Sequence, residues 1–197
     1  MTRKLVVFAI AAWSGYYVMA VELLSGRILA PSFGNSIYVW GGIITIFMLG
    51  LSVGYLVGGQ LSLFAPTLRR LGLVLIAAGI ASLPIVVVGD RVLDWIFDHV
   101  RDPRWASLLA SSTLFFVPTA VSGMVSPYAV RLVATSVQST GRAAGFLYFV
   151  STFGSAAGTI LTSFYMVLWF EVNQIFVGMI VVSLVLGLAA QPFRDAR

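Results

Sequence analysis

Apolar residues in this chain do not alternate with polar ones. They come in long blocks separated by short clusters of charge, proline and glycine. A run of about 20 apolar residues is what a helix needs to cross the hydrocarbon core of a bilayer. The blocks therefore predict six transmembrane helices over 5–29, 38–63, 71–89, 105–126, 143–166 and 174–190, forming one all-α domain over 1–197. The first block has signal-peptide features, with Arg3 and Lys4 ahead of the apolar run and Val18-Met19-Ala20 resembling a cleavage site. It is read as the first membrane helix.

A different pattern falls between the third and fourth blocks. Over 91–102, Leu93, Ile96, Phe97 and Val100 share one helical face, while Asp94, Asp98, Arg101 and Asp102 share the other. This predicts a short amphipathic helix lying on the outer membrane surface.

Composition strengthens the membrane assignment. Of 197 residues, 59% are hydrophobic and 10% charged, whereas a soluble domain carries about 25% charged residues. The net charge of +5 does not point to nucleic acid, because the basic residues sit singly or in pairs between apolar blocks. They read as topology determinants and phospholipid contacts. Arg3, Lys4, Arg69, Arg70, Arg131, Arg142, Arg194 and Arg197 fall on one side of the six helices, together with Asp195 as that side's one acid. Arg27, Arg91, Arg101 and Arg104 fall on the other, as do Trp40, Trp95, Trp105 and Trp169. The positive-inside rule and an aromatic belt both place the two termini in the cytoplasm, with a bacterial inner membrane as the expected location.

Small residues and prolines mark the helix interiors. Gly50, Gly54 and Gly58 repeat every fourth residue, as do Gly154 and Gly158 with Ser151 and Ser155 beside them. Such stripes let two backbones approach closely, either as plain packing or as a sliding contact between halves. Pro84 and Pro118 are expected to kink the third and fourth helices. Ser25-Gly26 with Pro31 is echoed by Ser122-Gly123 with Pro127, which suggests a 3+3 inverted repeat of the kind found in secondary transporters.

Candidate chemistry is sparse. Glu22 is the one acid inside an apolar block, roughly two dozen ångströms above the helix start. An intramembrane carboxylate is costly unless paired or hydrated. Glu22 either pairs with Arg27 to fix helix ends, or faces a cavity where Trp13, Tyr16 and Tyr17 help it hold an ammonium group. His99 alone does not make a metal site. With no cysteine, thiolate ligands and thiol nucleophiles are excluded. No phosphate-binding loop and no nucleophile–base pair is visible, so no metal, cofactor or catalytic residue is expected.

The stretch Glu22-Leu-Leu-Ser-Gly-Arg27-Ile-Leu-Ala-Pro31-Ser-Phe-Gly34-Asn-Ser36-Ile-Tyr38-Val-Trp40, followed by Gly50, Gly54-Tyr55 and Gly58-Gly59, resembles the transmembrane domain of spermidine-synthase-like membrane proteins, the fused major-facilitator/spermidine-synthase family. Gly123-Met-Val-Ser-Pro127, Arg131-Leu132, Gly141-Arg142 and Ser151-Thr152-Phe-Gly154-Ser155-Ala-Ala-Gly158-Thr159 extend the resemblance over most of the chain. It implies a bundle like half a major facilitator, commonly joined to a soluble aminopropyltransferase domain. No stretch of these 197 residues matches that domain, so no catalytic residue is carried over. The loop after the second helix resembles the facilitator signature in Gly58-Gly59 and Arg69-Arg70, but no Asp follows Gly59 and Pro66 interrupts it.

Two functions follow as expectations. One is binding or transport of a small cationic solute such as a polyamine by a homo-oligomer, with Glu22, Arg27, Tyr17 and Trp13 as the site. The other is a non-catalytic subunit that scaffolds a larger membrane complex or a separate soluble synthase. Membrane lipids are expected partners of either. The cysteine-free background offers a direct test of topology. In sealed inside-in vesicles, Ser36→Cys and Arg101→Cys should react with an impermeant maleimide, whereas Arg69→Cys and Gly141→Cys should react only after lysis.

Overall fold

The computed structural model describes residues 3–64, 66–134 and 137–193, the side chains of 137–139 excepted. It is helical throughout, with no strand among the described residues. The helices are α1 (Arg3–Phe33), α2 (Ile37–Leu61), α3 (Leu68–Ala81), α4 (Leu83–His99), α5 (Pro103–Gly123), α6 (Val125–Val133), α7 (Val137–Leu161), α8 (Val167–Trp169) and α9 (Val172–Ala189), with a π-helical turn at Thr162–Met166. They compose six stretches long and apolar enough to cross a membrane: Arg3–Phe33, Ile37–Leu61, Leu68–His99, Pro103–Val133, Thr140–Trp169 and Val172–Ala189.

The third stretch departs most from expectation. Thr67 caps α3 by accepting a hydrogen bond from the Arg70 N–H at 3.2 Å, so the helix starts ahead of the arginine pair. Pro84 falls in the first turn of α4, where its missing N–H is no loss. The helical path therefore breaks at Ser82 rather than kinking inside one helix. The separate surface helix over 91–102 does not form. Its residues continue α4 to His99, because Ile85, Gly89, Leu93 and Ile96 make one unbroken buried stripe across the charged position Asp90. Leu93 and Ile96 are core residues, and Asp90, Asp94 and Asp98 line the exposed side.

The fourth stretch is also longer than 105–126. Asp102 caps α5 through the Arg104 N–H at 3.0 Å and pairs with the Arg104 side chain at 2.8 Å. That hydrogen bonding holds the Asp102 carboxyl below its usual range. Pro118 sits inside α5 without ending it, and the break comes at Met124. Pro127, expected in a loop, occupies the first turn of α6. Near the other end of the chain, Glu171 and Gln174 form a reciprocal capping box that starts α9. Arg194, Asp195 and Arg197 lie outside the described residues.

Glycines decide which helices touch. A Cβ on Gly154 would strike the Ala12 carbonyl, and one on Gly158 would lie 2.5 Å from the Tyr16 carbonyl. Phe8 meets Phe146 edge to face at 5.0 Å. The paired numbers rise together, so α1 and α7 run parallel. Likewise Gly42 abuts Leu108, Gly50 abuts Phe116 and Thr119, Gly54 abuts Ala120 and Gly123, and Gly58 abuts Met124, making α2 and α5 a second parallel pair. Gly72 against Gly187 and Ala190, with Gly79 against Ser183, makes α3 and α9 antiparallel.

Two apolar clusters fill the bundle. One gathers Tyr17, Leu24, Phe47, Phe115 and Phe176 toward the end where α1 finishes. The other gathers Val7, Ile10, Leu71, Tyr128 and Leu147 toward the end where α1 begins. Between them run polar ties: Ser14 Oγ donates to the Ser122 carbonyl at 3.2 Å, and Trp13 Nε1 donates to Ser183 Oγ at 2.9 Å. Arg3, Lys4, Arg69, Arg70, Arg131 and Arg142 all stand at the end where α1 begins, with no acidic residue among the described residues there. Trp95, Trp105 and Trp169 are exposed at the other end.

The packing yields a contrast between glycines. Gly54→Leu or Gly154→Leu should lower unfolding stability by about 3 kcal/mol or more, because the neighbour is backbone and cannot yield. Gly41→Ala, where a Cβ meets nothing within 4 Å, should leave it unchanged. Denaturant titration in detergent reads both.

Candidate functional site

The polar level between the apolar clusters contains a cavity of about 110 Å³. Its wall is built from Ser14, Gly15, Val18 and Met19 of α1, Leu51 and Tyr55 of α2, Ser122 and Gly123 of α5, Ser126 of α6, and Ser151 and Ser155 of α7. The cavity exists because small residues bring four helices together there while leaving room between their side chains.

Three of the six hydroxyls in this wall spend their protons on helix carbonyls, and those of Tyr55, Ser126 and Ser151 have no such acceptor among the described residues. Ser14 donates to the Ser122 carbonyl, Ser122 to the Pro118 carbonyl at 2.8 Å, and Ser155 to the Ser151 carbonyl at 3.1 Å. Their oxygens keep lone pairs free to accept. The break at Met124 adds to this, since Pro127 has no N–H to return to the Gly123 carbonyl. The wall thus offers both acceptor oxygens and hydroxyl donors.

Glu22 lies one helical turn beyond Val18 on the same side of α1. It is half-buried. Among the described residues its carboxylate has neither an ion pair nor a hydrogen bond, although its backbone carbonyl accepts from Ser25 Oγ at 2.6 Å. The expected Glu22–Arg27 pair does not form. Five residues apart on a helix, the two side chains diverge by more than a quarter turn, and Arg27 reaches instead for the Val167 carbonyl at 3.5 Å.

Trp13 and Tyr17 do not join Glu22 either. Trp13 bonds Ser183, stacks on Tyr16 at 5.0 Å, and borders a separate apolar cavity of about 280 Å³ with Met166, Phe170 and Met179. The Tyr16 hydroxyl donates to Met166 Sδ at 3.2 Å. Tyr17 is buried with its hydroxyl hydrogen-bonded to Ser82 beside the α3–α4 break. Trp13, Tyr17 and Arg27 therefore share one side of α1, and Glu22 stands on the opposite side. Tyr55 and the serines surround the polar space, and Glu22 lies one turn further along α1, outside its lining. Their signal in the sequence was the small-residue spacing at Ser122-Gly123 and Ser151–Ser155.

His99 is exposed at the far end, stacked on Trp95 at 4.6 Å. No group of potential metal ligands occurs among the described residues. A cavity lined by hydroxyl and carbonyl oxygens, with a carboxylate one turn further along α1, has the chemistry to receive a cation. No protein-family model, curated protein or solved structure matches the chain.

Tyr17 and Trp13 are held by hydrogen bonds to Ser82 and Ser183, away from the serine-lined cavity. Tyr17→Phe should cost about 1 kcal/mol of stability through the lost hydrogen bond and leave occupancy of the serine-lined cavity unchanged, as measured by parallel unfolding and ligand-binding titrations.

Proposed function

We propose that the protein is an integral membrane module of six spans that binds and moves a small cationic solute, with Glu22 and the serine-lined cavity as its site. The observation that carries this reading is the oxygen-lined cavity at mid-depth, with a carboxylate that has no ion pair among the described residues one turn further along α1. Exposed Phe149, Phe153, Phe164 and Leu168 support a lipid surrounding, since water would disfavour so much apolar area. The cation-rich end, free of acids among the described residues, supports cytoplasmic placement of the α1 start. The family resemblance to spermidine-synthase-like membrane domains supports a polyamine or related amine.

An inverted 3+3 repeat is part of the proposal. A single shift of 104 positions relates Gly50 to Gly154, Gly54 to Gly158, Ala12 to Phe116 and Tyr16 to Ala120, so it carries the α1–α7 contact onto the α2–α5 contact. The same shift relates Gly79 to Ser183, which touch each other, as residues on a two-fold axis must. The echo of Ser25-Gly26 in Ser122-Gly123 falls about two turns out of that register. In the contact register Val18 corresponds to Ser122, Met19 to Gly123 and Glu22 to Ser126, which puts the cavity across the axis. Transporters built this way bind substrate at the repeat interface, and a second copy of the chain would complete an enclosed path.

The alternative reading, a non-catalytic subunit anchoring a membrane complex or a separate synthase, draws on the aromatic ladder Phe146, Phe149 and Phe153 along the exposed side of α7. Spermidine titration of the purified protein separates the two. Glu22→Gln should weaken binding by about tenfold or more, roughly 1.4 kcal/mol, and Glu22→Asp should retain part of the affinity. Equal binding by wild type and Glu22→Gln would reject the site.

A further inference from the structure

A second feature lies at the opposite level of the bundle from Glu22, where α1 and α7 begin their parallel course. Phe8 and Phe146 are locked edge to face at 5.0 Å. Lys4 precedes Phe8 by one turn, and Arg142 precedes Phe146 by one turn. Parallel helices in that register bring the two cations to the same rim, above the aromatic pair. Both are exposed, and neither has an ion-pair or hydrogen-bond partner among the described residues.

Below the rim runs an open groove of about 680 Å³. Lys4 and Arg142 stand at its mouth, and Phe8, Phe146, Val133 and Gly145 form its walls. The groove is open beside Gly145, where a Cβ would meet nothing within 4 Å. The groove has two charges at one end and an apolar trough leading toward the bundle's middle. That arrangement fits a molecule with an anionic head and a hydrocarbon tail.

We propose that this groove is a binding site for one anionic phospholipid, with the phosphate between Lys4 and Arg142 and an acyl chain along Phe8, Phe146 and Gly145. Basic pockets between helices on the cytoplasmic side suit such headgroups. The site rests on the membrane reading but not on the Glu22 cavity, which lies more than two turns deeper along α1. An aromatic wall beside an unbranched chain gives close packing without requiring one particular acyl structure.

The test is native mass spectrometry of the full chain released from nanodiscs containing equal phosphatidylglycerol and phosphatidylcholine. Two cations near the surface predict a preference of about thirtyfold for the anionic lipid. Lys4→Ala/Arg142→Ala should bring retention of the two lipids to parity. Gly145→Leu keeps both charges, fills open space and should still reduce retention, so the groove is tested even if the double variant folds poorly. Equal retention of the two lipids by wild type overturns the site, as does a Gly145→Leu variant that holds lipid like wild type. Stripping of the bound lipid by millimolar inorganic phosphate would also overturn it, because a free-phosphate site needs no trough. Failure of the membrane reading would look different: an alkaline carbonate wash would release the protein from native membranes.

Discussion

Close approach of helix backbones is the constraint on which the other features depend. Gly54 and Gly58 let α2 lie directly on α5, and Gly154 and Gly158 let α7 lie directly on α1. In hydrocarbon there is no hydrophobic drive to press helices together, so dispersion between tightly fitted backbones has to supply the attraction. The glycines also choose partners. Sequence neighbours would make the simplest bundle, as antiparallel hairpins. Here the first stretch pairs with the fifth and the second with the fourth, both parallel, and only the third and sixth pair antiparallel. A methyl group on Gly54, Gly58, Gly154 or Gly158 would meet backbone atoms, and those cannot move without moving a helix.

The polar level at mid-height follows from that arrangement. Where four helices converge on glycine and serine, no large apolar side chain fills the centre, and the core divides into two clusters. Ser14, Ser122 and Ser155 satisfy their own protons on nearby carbonyls. Proline at 127 removes a backbone donor at the same height. Each of these is an ordinary packing solution taken singly. Together they produce a polar space, and one turn further along α1 Glu22 has no ion pair among the described residues.

Much of the architecture was legible from the apolar blocks, because length and hydropathy decide whether a helix can span a bilayer. Boundaries were harder to place. Asp90 looked like the end of the third helix, yet the stripe of Ile85, Gly89, Leu93 and Ile96 runs past it, and a charge on the exposed side of a helix interrupts nothing. Pro84 and Pro127 looked like a kink and a loop, yet both sit in first turns that tolerate them. The residues expected to bind together were chosen for proximity in sequence to Glu22. Trp13 and Tyr17 are near it along the chain and turned away from it on the helix, so they were consumed by packing on Ser183 and Ser82. Part of the family-like motif also has a local explanation. Trp40 lies over Gly26, where a Cβ would meet its ring at 2.7 Å, and its Nε1 bonds Asn35 beside the positive φ of Gly34. The glycine stripes were visible from the start, but which helix each would meet was not, since a stripe names a contact without naming its partner.

The unequal ends of the bundle make the molecule an electric dipole. In an energised membrane, negative inside, each elementary charge carried across is worth about 2.3 kcal/mol per 100 mV. Turning the protein over would drag Arg3, Lys4, Arg69, Arg70, Arg131 and Arg142 through hydrocarbon and against that field. The orientation adopted at insertion is then permanent. On the proposed transport reading, the cavity would thereby be held in a fixed frame, and a solute crossing it would experience a direction.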